Sequence, residues 1–146
     1  MSTGDGCGQF GVRPILCVES VARSIAYYVG CLGFHRGWAW SDETQRFLQP
    51  GESGSPTFAL VGRGQVQLML SQKSQGAPGM WLHLDVHTAE HLDALYEEWQ
   101  RMEALIVEPP SCRAWGMVEM RVRDPDGHVL RVSAPPHNNV EPGRRS

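Results

Sequence analysis

The sequence predicts an α+β fold built from two consecutive βαβββ modules, and three observations carry that expectation. Two stretches of helical periodicity, each opened by a Ser or Thr cap, follow short apolar strands. Two turn signals between apolar runs, Gly62-Arg63-Gly64 and Asp124-Pro125-Asp126-Gly127, fall at equivalent places in the order of elements. That order therefore repeats, with a period of about 65 to 70 residues.

Taken in order, Met1 to Gly11 is Gly-rich and aperiodic and reads as a loose arm. A strand is expected over Val12–Val18. Ser20 then caps a helix with Val21, Ile25, Tyr28, Val29 and Leu32 on one side, and Gly33 stands where a helix-ending glycine belongs. Strands are expected over Phe34–Trp40, Thr57–Val61 and Gln65–Ser71, with Ser41–Ser55 as loop. The second module opens with a strand over Met80–Val86. Thr88 caps a helix carrying Leu92, Leu95, Tyr96, Trp99 and Met102. Strands over Leu105–Glu108, Trp115–Arg123 and His128–Ser133 complete it, the first ending at Pro109-Pro110. The expected division is an arm (1–11), one domain (12–134) of two modules (12–71 and 80–134), and a Pro- and Arg-rich tail (135–146).

The chain has 146 residues and a formal net charge of −3, which suits one domain with a sizeable core. Without an excess of Lys and Arg there is no electrostatic footprint for nucleic acid. No window reaches the ~20 apolar residues of a membrane span, and no basic-then-apolar signal opens the chain. Cys7, Cys17, Cys31 and Cys112 lie far apart without a Cys-x-x-Cys, which points to free thiols in the cytoplasm.

Side chains alternate across a strand, so each strand presents two faces. Leu16 and Val18, Leu68 and Leu70, Leu82 and Leu84, Val118, Met120 and Val122, and Leu130 and Val132 form one aliphatic set. The opposite faces carry Arg13, Gln67, Trp81, His83, Asp85, Glu119, Arg121 and Arg131. Such a face is either the solvated side of an antiparallel sheet or a pocket wall. Trp81, with Trp38, Trp40 and Trp115 nearby in the pattern, favours a pocket. Trp38 and Trp40 share a face and serve equally as core or dimer contacts. His83 and Asp85 are expected to pair with Arg121 or Arg13. His87, His91 and His128 read as surface or turn residues. No Ser or Cys sits in a strained Gly-flanked turn, so nucleophilic catalysis has no support.

Three segments resemble a known family. Arg23-Ser24-Ile25-Ala26-Tyr27-Tyr28 with Leu32-Gly33-Phe34 is similar to the opening of the vicinal-oxygen-chelate superfamily, which spans glyoxalases, bleomycin-resistance proteins and extradiol dioxygenases. Trp115-Gly116 followed by Arg123-Asp124-Pro125-Asp126-Gly127-His128-Val129-Leu130 resembles its last hairpin. Leu92-Asp93-Ala94-Leu95-Tyr96-Glu97-Glu98-Trp99 resembles the second helix of the bleomycin-resistance members. The resemblance implies curved mixed sheets around a cleft, a homodimer, and binding sites between subunits.

In that superfamily's enzymes a metal is held by His or Glu from four strands. The matching positions here are Arg13, Gln67, Trp81 and Arg131. Guanidinium groups offer no lone pair and an indole none in its plane, so this set implies no metal, no cofactor and no catalytic residue. The expected function is non-covalent binding of a small organic molecule. Trp38, Trp40, Trp81 and Trp115 would stack on it, with Arg13, Gln67, His83, Asp85, Glu119, Arg121 and Arg131 as polar anchors. Three arginines argue against a cationic ligand and for an anionic or planar aromatic one. The rival is a metal-dependent lyase or dioxygenase using His83, Asp85, Glu119 and His35. A third reading is a ligand-free interaction module.

Overall fold

The computed structural model describes residues 10–137. The expected arm and tail therefore lie mostly outside the described residues. Strands β1 (Ile15–Val18), β2 (His35–Ser41), β3 (Arg46–Phe47), β4 (Phe58–Arg63) and β5 (Val66–Gln72) surround helix α1 (Val21–Gly30) in sequence. Strands β6 (Trp81–Asp85), β7 (Leu105–Cys112), β8 (Val118–Arg123) and β9 (Val129–Ala134) do the same for α2 (Ala89–Arg101). They make a five-stranded sheet, β1-β5-β4-β2-β3, and a four-stranded sheet, β6-β9-β8-β7. In both, the first strand lies parallel to the last, with Ile15 opposite Met69 and Trp81 opposite Val129. The other pairs are antiparallel, so both sheets are mixed and share one topology.

Both helices start where their caps predict. The Ser20 hydroxyl accepts from Arg23 N–H and the Thr88 hydroxyl from His91 N–H, each satisfying one free donor of a first turn. Gly33 takes φ 75° just past α1, a left-handed conformation that suits glycine.

Leu16, Val18, Val61, Leu68 and Leu70 of the first sheet and Met120, Val122, Leu130 and Val132 of the second join Tyr28, Leu92 and Trp99 in one buried cluster. Each such buried side chain contributes about 1.5–3 kcal/mol. Helix α1 of the first module reaches the second sheet: the Tyr27 hydroxyl donates to Arg123 C=O at 2.7 Å and accepts from Leu105 N–H at 2.9 Å. In the other direction the Trp99 indole of α2 donates to Leu32 C=O at 3.0 Å. The helices thus lie between the sheets, and the second face of each sheet is left outside.

The segment Asp124-Pro125-Asp126-Gly127 is more than a turn. Asp124, fully buried, accepts from Asp126 N–H, His128 N–H and the Tyr28 hydroxyl, at 2.9, 3.0 and 2.9 Å. Burial, then the Asp124 charge, pushes the Tyr28 phenol well above its ordinary value. His128, expected at the surface, is fully buried: its Nδ1 accepts from Met80 N–H, so its Nε2–H donates to Cys17 C=O at 2.7 Å. This ring ties β1 to the residues that lead into β6 and β9.

In four places the elements differ from the expectation by more than two residues. β1 begins at Ile15, because Pro14 gives the sheet only its carbonyl and Val12 is exposed. The expected loop after β2 contains β3, whose Phe47 pairs with Trp40. β7 runs through Pro109-Pro110 to Cys112, because it is an edge strand with register shifts, where a missing N–H costs little. β8 begins at Val118, leaving Trp115 exposed in the preceding turn. Among the described residues Cys17, Cys31 and Cys112 are free thiols, and Cys7 lies outside those residues. Among the described residues no helix is long and apolar enough to cross a membrane.

Candidate functional site

The outer faces of the two sheets differ in chemistry, and strand register explains how. On the first sheet, Phe58 lies opposite Trp40 and Ser71, Trp40 lies opposite Phe47, and Leu60 lies opposite Met69, itself opposite Ile15. Trp38 packs on Phe47 and Phe58 with ring centroids 5.9 and 5.6 Å apart, and Trp40 packs on Phe47 at 5.0 Å. This is an aromatic, apolar wall, with Phe47 half-exposed. At one end Arg13 Nε donates to Gln67 Oε1 at 2.8 Å, and both side chains are exposed.

The second sheet's outer face is charged. Row by row, His83 lies opposite Arg131, Arg131 opposite Arg121, and Arg121 opposite Glu108. The next row runs Asp85, Ser133, Glu119, Ser111. Glu119 is 1 % exposed and sits beneath guanidinium groups: Arg121 at 3.2 Å, Arg113 at 3.8 Å and Arg131 at 3.9 Å. Glu108 bonds Arg113 and lies 3.6 Å from Arg121. The hydrogen bond from Arg113 holds the Glu108 carboxyl below its usual range.

Three guanidiniums thus share two carboxylates. Arg131 is the least committed: its Nε donates to His83 Nδ1 at 3.1 Å, and its terminal nitrogens have no hydrogen-bond partner among the described residues. His83 therefore carries its proton on Nε2, which faces Asp85 at 3.1 Å and the Ser133 hydroxyl at 3.3 Å. Arg121 also stacks over Trp81, 5.3 Å from the ring centroid, and Trp81 is 57 % exposed.

Several expected pairings change. His83 joins both Asp85 and Arg131, whereas Arg121 joins Glu119 and Arg13 joins Gln67. Glu119 is buried under its partners rather than presented to a ligand, and acts on the arginines. Gln67 lies on the first sheet, with Arg13 bonded to it from just before β1, and Trp81 and Arg131 lie on the second; His83 approaches Gln67 only at the seam, where both line a groove. Trp115 stands apart from the other tryptophans in an exposed turn. Phe47, Phe58, Glu108 and Arg113 were missing from the expected site. Phe58 was within reach, since it alternates with buried Ala59 and Val61. Glu108 lies within an irregular edge strand and Arg113 just past its end, and the strand's register shifts hide the parity.

The four positions that would hold a metal do not fit one. Arg13 and Arg131 are cationic donors, Gln67 is engaged by Arg13, and the Trp81 indole has no free lone pair. His83, the nearest imidazole, spends Nδ1 on Arg131 and Nε2 on Asp85. Among the described residues no three His, Cys, Asp or Glu side chains gather as a metal-binding group.

Residues 10–132 match the sequence pattern of the Glyoxalase/Bleomycin resistance protein/Dioxygenase superfamily. No curated protein is significantly similar in sequence. Among solved structures, the bleomycin-binding protein of bleomycin-producing Streptomyces verticillus, complexed with copper(II)-bleomycin, is 26 % identical. The match covers 86 % of this chain and 96 % of that one, with a TM-score of 0.62. A glyoxalase/bleomycin resistance protein/dioxygenase from Nocardioides is 16 % identical over 94 % of this chain and 91 % of its own, with a TM-score of 0.64. TioX from Micromonospora sp. ML1 is 20 % identical over 85 % and 98 %, with a TM-score of 0.61. These last two share the fold.

Proposed function

Because the chain belongs to the Glyoxalase/Bleomycin resistance protein/Dioxygenase superfamily, we propose that it is one of the members that bind a small organic molecule without a metal. One observation carries this reading: the outer faces form complementary walls, one aromatic and one rich in arginine, while the superfamily's metal positions hold no suitable donors. A flat ligand gains by stacking on Trp38, Trp40 or Trp81, and an anionic group gains by bidentate contact with the open fork of Arg131. The preferred ligand is planar, aromatic and anionic. It differs in charge from a cationic drug, although sequestration of a toxic compound, and so antibiotic resistance, is the role in keeping with the bleomycin-binding neighbour.

Since the two walls lie outside a shared core, neither encloses a ligand alone. We assign the complete site to a homodimer in which the first sheet of one copy faces the second sheet of its partner. Such an arrangement would also cover the exposed Trp81 and Phe47. The separated free thiols fit the cytoplasm.

The test joins three measurements on purified protein. Light scattering should give a dimer mass. Thermal shift across matched aromatic carboxylates, amides and amines should favour the carboxylates. Metal analysis should find no stoichiometric metal. About one Zn, Ni, Fe or Mn per chain, surviving dialysis and lost in a His83→Ala variant, would replace this reading with a metal-dependent lyase or dioxygenase.

A further inference from the structure

The internal duplication lets one half of the chain report what the other lacks. Counted from the caps Ser20 and Thr88, the starts of α1 and α2 correspond, so Glu19 matches His87 and Arg23 matches His91. The turn between β8 and β9 has five residues (124–128), and its counterpart between β4 and β5 has two (64–65). The longer turn crosses to the first module and fills the space at the start of α1. There the Asp126 carboxylate accepts from Glu19 N–H and from Arg23, both at 2.9 Å, and from the Ser24 hydroxyl at 3.4 Å. The shorter turn faces the start of α2 and stops short of filling the equivalent space.

The result is a cavity of about 370 Å³ between the modules, with Phe34, Leu84, Leu95 and Trp99 in its wall and His87 and His91 beside them. Its volume lies at the small end of ligand sites. His87 N–H, the counterpart of the donor that holds Asp126, has no hydrogen-bond partner among the described residues. The charged neighbours are already engaged: Arg63 bonds Glu98 and Leu32 C=O, and the Asp85 carboxylate bonds His83.

We propose that this cavity is a second binding site, separate from the outer faces, which takes a small monocarboxylate with an apolar body. The carboxylate sits on His87 N–H and the His91 imidazole, as Asp126 sits on Glu19 N–H and Arg23. The body lies on Phe34, Leu95 and Trp99, in the volume that the chain's own longer turn takes up in the other half. The third donor, Ser24, has Leu92 as its counterpart, so the ligand meets two polar anchors and a more apolar wall.

The probe is hydrocinnamate, a phenyl ring on a short acid chain, compared with its neutral amide, in proton–nitrogen correlation spectra of nitrogen-labelled protein. The acid should move the His87 amide and the Trp99 indole signals saturably and bind roughly tenfold or more tighter than the amide, the scale of a charge-assisted hydrogen bond. His91→Ala should bring the two affinities close together while leaving the amide's own unchanged. Replacing Gly64-Gln65 by a copy of the longer turn, Asp-Pro-Asp-Gly-His, should close the cavity and abolish binding of both; Leu95→Trp serves if that chimera does not fold. Equal affinity for acid and amide in the parent protein overturns the proposal. So does a hydrocinnamate titration that leaves His87 and Trp99 unmoved.

Discussion

Removing one carboxylate should undo much of the contact between the modules. Asp124 is fully buried and accepts three hydrogen bonds, two from its own turn and one from Tyr28 on α1. Hydrogen bonds to a charged acceptor contribute about 1.5–3 kcal/mol each, and each buried donor left alone costs about 1–3 kcal/mol. Some relief comes from water entering the small void. The balance for Asp124→Ala is still a loss of about 4 kcal/mol or more, large against a total of about 5–15 kcal/mol. For a domain of this length that lowers Tm by more than about 10 °C. Asp124→Asn keeps the acceptor for the two backbone N–H groups and lets its amide donate to the Tyr28 oxygen, so it should cost only about 1–2 kcal/mol. Tyr28→Phe should cost a similar amount, and the double variant Asp124→Asn with Tyr28→Phe should cost less than the sum, because both changes remove the same contact. Urea denaturation followed by tryptophan fluorescence measures all four, with Trp99 as a buried reporter. An Asp124→Ala protein within 1 kcal/mol of the parent would refute the reasoning and reduce the segment to a simple turn.

Other expectations follow from the same geometry. Trp81→Ala should change stability by less than about 1 kcal/mol because the ring is largely exposed, yet weaken binding of an aromatic carboxylate by about 1 kcal/mol; calorimetry beside chemical denaturation separates the two. Glu119→Ala leaves three guanidiniums crowded around a missing charge and should cost about 3–5 kcal/mol in a denaturant titration, a loss partly recovered in concentrated salt. The hydrogen bond from Arg63 lowers the Glu98 pKa below 4.5, so this pair's contribution is present above that pH and disappears as pH falls through the folded-state value. An acid series of thermal melts should therefore fall less steeply in Glu98→Gln than in the parent. Gly76 takes φ 87°, and a Cβ there would lie 2.4 Å from Ile15 C=O, so Gly76→Ala should push the linker off β1 and cost about 1–3 kcal/mol by thermal melt.

Much of the architecture is legible from local chemistry. Ser20 and Thr88 mark both helix starts because capping is a property of four or five neighbouring residues. Strand parity separates Leu68 and Leu70 from Gln67 because alternation needs no partner strand. What escaped depends on neighbours distant in sequence. His128 looks like a turn residue until Cys17 C=O and Met80 N–H close around its ring. Glu119 looks like an exposed anchor until the register brings Arg121 and Arg131 beside it and Arg113 folds across. The polar faces of the strands read as a single wall, although Gln67, with Arg13 bonded to it, belongs to one sheet and Trp81 and Arg131 to another. That partition is decided by how the helices pack, which no single strand records.

The two prolines within β7 bear on how copies of this protein meet. A strand on the rim of a sheet can recruit another molecule's strand through its unused amide hydrogens, and repeated recruitment builds fibres. Pro109 and Pro110 have no amide hydrogen to lend, and they occupy the outermost strand of the second sheet. Growth by strand addition is blocked at that rim, at little cost to a strand that needs only one neighbour. The rim can stay free of helices or loops, and association is steered toward the flat faces of the sheets, where side chains rather than backbone decide which molecule is accepted.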